Sequence, residues 1–83
     1  MSTETILTTH ISEEIAIGRS RAIMPDDDLL STGILDSLAV LQLVMYVEEQ
    51  FSIVVPDEDV IYENFHSISA LAEYIDRRKL DRA

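Results

Sequence analysis

The sequence Leu29-Leu30-Ser31-Thr32-Gly33-Ile34-Leu35-Asp36-Ser37-Leu38 runs from a loop into a strongly apolar segment. Residues 38–50 contain neither Gly nor Pro and are rich in helix formers, which predicts a helix over about residues 37–51. Gly33 permits the turn before this helix, and Asp36 or Ser37 can cap its first free amides. Ser37 therefore stands at the amino end of a helix, where unpaired N–H groups and the helix dipole stabilise an attached anion. An ordinary helix cap is the simpler interpretation of the same residues.

The predicted helix over 37–51 carries more apolar side chains than one face can bury in a small bundle. Spacings of three and four residues assign one set to the core: Val40, Leu43, Val44 and Val47. A second set lies on the flank beside Ser37: Leu38, Leu41, Met45 and Glu48. We expect part of the helix to meet another surface. Burial by neighbouring helices on both sides is the alternative.

A first helix is predicted over about residues 3–17, followed by a long loop over 18–36. Residues of the core face recur every four positions in this helix: Leu7, Ile11 and Ile15. Apolar residues distributed along the loop predict that it is held against the helices: Ile23, Leu29, Leu30, Ile34 and Leu35. The three consecutive aspartates at 26–28 lack the alternating ligands and central Gly of a calcium loop, so we predict no dedicated metal site there.

Two more helices are predicted in the last third of the chain. Pro56 and three acids begin a short helix over about 57–63, and Ser67 caps a last helix over about 67–80. The inner stripe of the last helix contains Ile68, Leu71, Ala72 and Ile75. The sequence thus predicts an all-α four-helix bundle that forms a single domain over 1–83, with a long loop between helices 1 and 2 and a short helix 3.

Acidic side chains dominate the chain and are unevenly distributed. Sixteen Asp and Glu against six Lys and Arg give a formal net charge of −10, and residues 22–76 contain no Lys or Arg at all. Such a surface repels nucleic acid phosphates and anionic lipid, so we expect neither as a partner. It attracts basic patches on other proteins instead, although an acidic surface that merely maintains solubility also accounts for the charge.

Several classes of activity are excluded by what the sequence lacks. There is no Cys, which excludes a disulfide framework, a thiolate metal site and a cysteine nucleophile. With two Gly residues there is no glycine-rich phosphate loop and no nucleophile elbow around Ser37. His10 and His66 are isolated, so neither is predicted to be a catalytic base or a metal ligand. The amino terminus has no signal-peptide pattern and no apolar run approaches a membrane span, which predicts a cytoplasmic protein. We expect a monomer without catalytic residues, with hydrolysis at Ser37 a remote alternative.

Asp36-Ser37-Leu38, preceded by Gly33-Ile34-Leu35 and followed by an apolar helix that ends in Glu48-Glu49, resembles the attachment site of the acyl and peptidyl carrier protein family. The resemblance extends from about Thr3 to Lys79, with Ser37 near the middle. It implies that the Ser37 hydroxyl is esterified with 4'-phosphopantetheine from coenzyme A, whose thiol carries an acyl or aminoacyl group as a thioester. It also implies that Asp36 and Leu38 belong to the attachment site.

The resemblance further implies a docking face for partner enzymes. Its predicted residues are Leu38, Leu41, Met45, Glu48, Glu49, Asp57, Glu58 and Asp59. The implied partners are a phosphopantetheinyl transferase, a ligase that loads acyl or aminoacyl groups, and downstream transferases or synthases.

The identity of the cargo depends on smaller differences within the family. Fatty acid carriers commonly have an acid after Asp-Ser-Leu and more acids along the second helix, whereas here Ala39 follows and Gln42 and Tyr46 are neutral. We therefore favour a carrier of a specialised or amino-acid-loading pathway over a fatty acid carrier. An unmodified acidic adaptor, whose second helix binds a groove on a partner, is the alternative from a different class.

Overall fold

The structure is a computed structural model that describes residues 2–15 and 22–82, with side chains to residue 80. Its α-helices are α1 (Thr3–His10), α2 (Ser37–Phe51), α3 (Tyr62–Phe65) and α4 (Ile68–Arg82). A π-helical turn, Ile11–Ile15, extends α1, and a 3₁₀ turn, Asp57–Asp59, precedes α3. The described residues contain no β-strand. The predicted all-α fold with four helices is therefore confirmed.

Ser2 caps the first helix, and its Oγ accepts a hydrogen bond from the Thr5 amide at 3.1 Å. Leu7 and Ile11 are fully buried, as their spacing predicts. The sequence predicted one helix to residue 17, but the turn over Ile11–Ile15 is π-helical, and residues 16 and 17 lie outside the described residues. A π-helical turn holds more residues than an α-helical one, which rotates the following side chains, and Ile15 is accordingly only half-buried.

The second helix begins where the sequence places it and divides its side chains between core and solvent. Asp36 is its N-cap, and Ser52 ends it in the left-handed conformation with φ 56°. Leu43 and Val47 are fully buried as predicted, whereas Val40 and Val44 are only half-buried.

The short helix expected over 57–63 is divided in two. Asp57–Asp59 form the 3₁₀ turn, and the α-helical turn follows at Tyr62–Phe65. The break lies at Val60 and Ile61, whose backbones have φ −84°, ψ 74° and φ −129°, ψ 162°. Ile61, whose side chain is branched at Cβ, is extended, and Phe65 in the following helical turn is 1 % exposed.

The loop over residues 22–36 is anchored to the junction between α3 and α4. The Leu29 amide donates to the His66 carbonyl at 2.6 Å, and the Ser69 amide donates to the Pro25 carbonyl at 3.0 Å. Three of the loop's predicted anchors are buried: Ile23, Leu29 and Leu35. The other two, Leu30 and Ile34, are half-buried and pack on the core. The loop is thus a fixed wall of the bundle.

The last helix supplies the largest share of the core. Ser67 Oγ accepts from the Ala70 amide at 3.1 Å, which is the predicted cap. The predicted inner stripe is buried: Ile68, Leu71, Ala72 and Ile75. Tyr74 is also buried, and its hydroxyl donates to Asp59 at 2.6 Å, which ties α4 to the 3₁₀ turn.

Candidate functional site

Ser37 is the first residue of α2, and its side chain is exposed. The neighbouring Asp36 accepts the Ala39 amide on its side chain at 2.8 Å and the Val40 amide on its carbonyl at 2.9 Å. The amides of Ser37 and Leu38 precede the first intrahelical hydrogen bond and remain available to a ligand. The first turn of α2 contains no acid beyond the N-cap Asp36, whose side chain bonds the Ala39 amide, so the amides of Ser37 and Leu38 at the positive end of the dipole can stabilise a phosphate on Ser37.

The surroundings of Ser37 contain no group that would activate it as a nucleophile. In the described part of the chain, no side chain is hydrogen-bonded to its hydroxyl. His10 is stacked on Tyr46 with ring centroids 3.6 Å apart, and burial lowers the pKa of this histidine. His66 is stacked on Tyr62 at 5.0 Å. Neither histidine lines the cavity beside Ser37, so the hydroxyl is placed to be modified by another enzyme rather than to attack a substrate.

An open groove of about 660 Å³ lies beside Ser37, between the start of α2, the loop and α3. Seven of its ten lining side chains are aliphatic or phenylalanine, and the lining consists of Leu30, Leu35, Asp36, Ser37, Val40, Leu41, Val60, Ile61, Tyr62 and Phe65. Sequence reasoning missed Val60, Ile61 and Tyr62 because it assigned 57–63 to one acidic helix. Three consecutive bulky apolar or aromatic residues after three acids were the available signal.

The predicted apolar flank of α2 faces solvent. Leu38, Leu41 and Met45 are 64 %, 61 % and 68 % exposed. The alternative of a helix covered on both sides therefore does not hold within the described residues. Ile61 and Tyr62 are also exposed and line the same groove as Leu41, so the apolar surface continues from α2 onto α3.

The acids predicted for the docking face divide into two groups. Glu48 is half-buried and accepts the Val55 amide on Oε2 at 2.8 Å, and Asp59 accepts the Tyr74 hydroxyl. Burial and this hydrogen bond raise the pKa of Tyr74. Glu49, Asp57 and Glu58 are exposed. Glu48 and Asp59 thus support the fold through their carboxylates, and the other three acids are open to solvent.

Asp28 joins the loop to α3 at the wall of the groove. Its Oδ1 accepts the amides of Leu30 and Ser31 at 3.1 and 2.8 Å, and its Oδ2 accepts the hydroxyls of Ser31 and Tyr62 at 2.9 and 2.5 Å. These hydrogen bonds, led by that of the Ser31 amide, lower the pKa of Asp28 to about 2. The same contact with the carboxylate raises the pKa of the Tyr62 hydroxyl. Asp28 therefore remains ionised and Tyr62 protonated at neutral pH.

Among residues 2–15 and 22–82, no group of three or more potential ligands is arranged to hold a metal ion. Within the same ranges, every helix is too short or too polar to cross a lipid bilayer.

The chain is similar to known proteins in sequence and in fold. Residues 5–75 match the family model described as a phosphopantetheine attachment site. A mitochondrial acyl carrier protein of Neurospora crassa is 46 % identical over 41 residues, which cover 49 % of this chain and 29 % of that protein. The chain therefore spans less than a third of the length of this relative. A chain from a crystal structure of an FAD-dependent dehydrogenase superposes with a TM-score of 0.77 at 26 % identity, covering 83 % of this chain and 97 % of that one.

Proposed function

The chain belongs to the phosphopantetheine attachment site family, so its prosthetic group is covalently bound 4'-phosphopantetheine, and we propose that this group is esterified to Ser37. When bound, the group supplies a thiol that holds an acyl or aminoacyl residue as a thioester. The protein acts as a carrier and leaves catalysis to its partners. The observation that carries this proposal is the exposed Ser37 hydroxyl at the start of α2, beside an apolar groove.

The residues around Ser37 fit both ends of such a group. The free amides of Ser37 and Leu38 and the helix dipole suit a phosphodiester, and Asp36 holds the first turn in place through the Ala39 amide. The apolar lining of the groove suits the less polar parts of the arm and its cargo. Ser37 is exposed enough for a transferase to reach it without unfolding α2.

Partner enzymes are proposed to dock on the surface formed by α2 and α3. Leu38, Leu41 and Met45 provide exposed apolar contacts, and Glu49, Asp57 and Glu58 provide negative charge. The proposed partners are a phosphopantetheinyl transferase, a loading ligase and downstream transferases or synthases. Charge of this kind accelerates encounters with basic surfaces, while a small contact area, below roughly 1,200 Å², permits rapid release.

The proposed cargo is an aminoacyl or specialised acyl group. Ala39 follows Ser37-Leu38, and the neutral Gln42 and Tyr46 lie along α2 where fatty acid carriers commonly have acids. A fatty acyl carrier is the second candidate, which the name of the Neurospora crassa relative favours. The superposition on a chain from an FAD-dependent dehydrogenase structure adds a flavin enzyme to the partners worth testing. A cytoplasmic location is proposed, with mitochondria as the alternative that the same relative suggests.

The attachment of the arm is tested with coenzyme A and a phosphopantetheinyl transferase of broad specificity. Intact mass spectrometry should show one added phosphopantetheine on the wild type and none on Ser37→Ala. Ser31→Ala is the matched control, because Ser31 is also exposed and lies in the preceding loop, and this variant should gain the arm. An unchanged mass of the wild type with several transferases, or an arm on Ser37→Ala, would overturn the proposal.

The cargo and the adaptor alternative are separated by two further measurements. Modified protein incubated with ATP and candidate ligases should gain the mass of an amino acid or a specialised acyl group. Preferential gain of a long fatty acyl group would instead establish the second candidate. If a partner binds Ser37→Ala as tightly as the wild type and protein from the native host bears no arm, the chain is an unmodified adaptor.

A further inference from the structure

Tyr62 is the one neutral polar side chain, apart from Ser37 itself, in the lining of the groove. The other polar members of this lining are Asp36 and Ser37. The carboxylate of Asp36 can only accept hydrogen bonds, and esterification consumes the Ser37 hydroxyl proton. Because neither of these groups can donate a hydrogen bond, the Tyr62 hydroxyl decides whether the groove lining offers a donor or only acceptors to a bound group.

The proton of the Tyr62 hydroxyl is already used in a hydrogen bond within the protein. It is donated to Asp28 Oδ2, and Asp28 is held in place by the amides of Leu30 and Ser31. Ser31 also lies near the Tyr62 hydroxyl, but its own single proton is donated to the same carboxylate. A phenol has one proton to donate and keeps lone-pair capacity to accept. Tyr62, which lines the groove, thus has an acceptor and no free donor on its hydroxyl, and the bond to an anion makes that acceptor more electron-rich.

The position of this acceptor is fixed. The Tyr62 ring is stacked on His66 with centroids 5.0 Å apart and an interplanar angle of 17°. Its hydroxyl is tied to the loop through Asp28, and the loop is tied to the junction of α3 and α4 through the Leu29 amide and the His66 carbonyl. An acceptor positioned in this way needs little ordering when a ligand arrives.

We propose that the Tyr62 phenolic oxygen accepts a hydrogen bond from an N–H group tethered to Ser37, and that it thereby selects for amide or ammonium groups in the groove. This inference rests on the proposed function, since it requires an arm on Ser37. Two sources supply the same chemistry: the amides of the arm and the ammonium group of an aminoacyl cargo. A purely hydrocarbon acyl chain offers no such donor. The absence of Lys and Arg from residues 22–76 also favours a cationic group at this position.

The test uses full-length protein that carries a ¹⁵N-labelled arm, prepared as wild type and as Tyr62→Phe. Each is examined with a free thiol, with an alanyl thioester and with an isobutyryl thioester, in which a methyl group replaces the ammonium. Tyr46→Phe is the matched control, because Tyr46 lies on α2 outside the groove lining. NMR spectra report two quantities: the exchange rates of the arm amides, and the shifts of the Val60, Ile61 and Tyr62 amides relative to unmodified protein of the same variant.

If the arm supplies the donor, Tyr62→Phe accelerates exchange of an arm amide by about two- to tenfold in all three forms, free thiol included, which is the range for one net hydrogen bond. If the cargo supplies it, the alanyl form of the wild type shows larger groove shifts than the isobutyryl form, and Tyr62→Phe removes that difference. Either result supports the inference.

Equal exchange rates and equal shifts in wild type and Tyr62→Phe, for every cargo, would overturn it. Effects of the same size in Tyr46→Phe would also overturn it, because they would show a general loosening of the bundle. Intact mass keeps this test separate from the proposed function: an unmodified Ser37 means that the carrier assignment fails, whereas a modified Ser37 with no effect of Tyr62→Phe means that only this inference fails.

Discussion

Asp36 offers a direct test of how the start of α2 presents Ser37. The Asp36 side chain accepts one hydrogen bond from the Ala39 amide at 2.8 Å and is itself exposed. Asp36→Ala removes this N-cap, which typically costs about 1 kcal/mol. For a domain of this size, that loss lowers the melting temperature by roughly 4–8 °C. Asp36→Asn retains the cap and loses only the favourable charge at the helix dipole, so it should lie between the wild type and Asp36→Ala.

The assay combines urea unfolding with the rate at which a transferase modifies Ser37. We expect Asp36→Ala to shift the unfolding midpoint clearly and to slow modification, because fraying of the first turn displaces Ser37. Asp57→Ala is the control for the unfolding measurement alone, because Asp57 is an exposed acid of the proposed docking surface and no side chain caps the 3₁₀ turn that it begins. It should change the free energy of unfolding by less than about 0.5 kcal/mol.

Two results would refute this reasoning. If Asp36→Asn is as destabilised as Asp36→Ala, the charge of Asp36 matters and its cap does not. If Asp36→Ala unfolds at the same urea concentration as the wild type, the carbonyl of residue 36, which already accepts the Val40 amide at 2.9 Å, is sufficient to hold the first turn.

Two further predictions concern stability and docking. Leu43→Ala should lower the free energy of unfolding by about 2–5 kcal/mol because Leu43 is fully buried. Leu41→Ala, at a 61 % exposed site, should leave the urea midpoint almost unchanged and weaken binding of a partner enzyme. Equal stabilities of the two variants would contradict this division between core and surface. The hydrogen bonds that lower the pKa of Asp28 from 3.8 to about 2 contribute stability that is fully present above pH 3.8 and is lost as the pH falls through 2. The urea midpoints of wild type and Asp28→Asn should therefore differ most near neutral pH and converge as the pH falls below 2. A gap between them that does not change with pH would show that Asp28 contributes no proton-linked stability.

The parts of the fold that follow a regular spacing were predictable from the sequence. The start of α2 at Ser37 and the inner stripe of α4 occupy the positions that helix periodicity and capping residues indicate. In both elements, the positions favoured by local helix and capping preferences are also the positions that the folded core requires. The exposure of Leu38 followed from the excess of apolar residues on α2, since a small bundle has no second layer to cover them.

The parts that depend on tertiary contacts were not predictable from local pattern. The interruption of the short helix at Val60 and Ile61 reflects competition between three acids suited to a helix start and the β-branched Ile61, whose backbone is extended. The hydrogen bond between Asp28 and Tyr62 joins residues far apart in the chain, and Asp28 by itself has the sequence signature of an ordinary loop residue. The groove beside Ser37 arises from both of these features, so its outer wall became visible only in the folded chain.

On the proposed docking surface, long-range attraction and direct contact should come from different residues around Ser37. Glu49, Asp57 and Glu58 face solvent and act over about a Debye length, so we expect them to set how often a basic partner arrives. Leu38, Leu41 and Met45 act only in contact, so we expect them to set how long the partner stays. Glu48 and Asp59 belong to neither group, because their carboxylates hold the Val55 amide and the Tyr74 hydroxyl. Substitution of these two acids therefore alters the scaffold, whereas substitution within the other two sets changes association and dissociation rates separately.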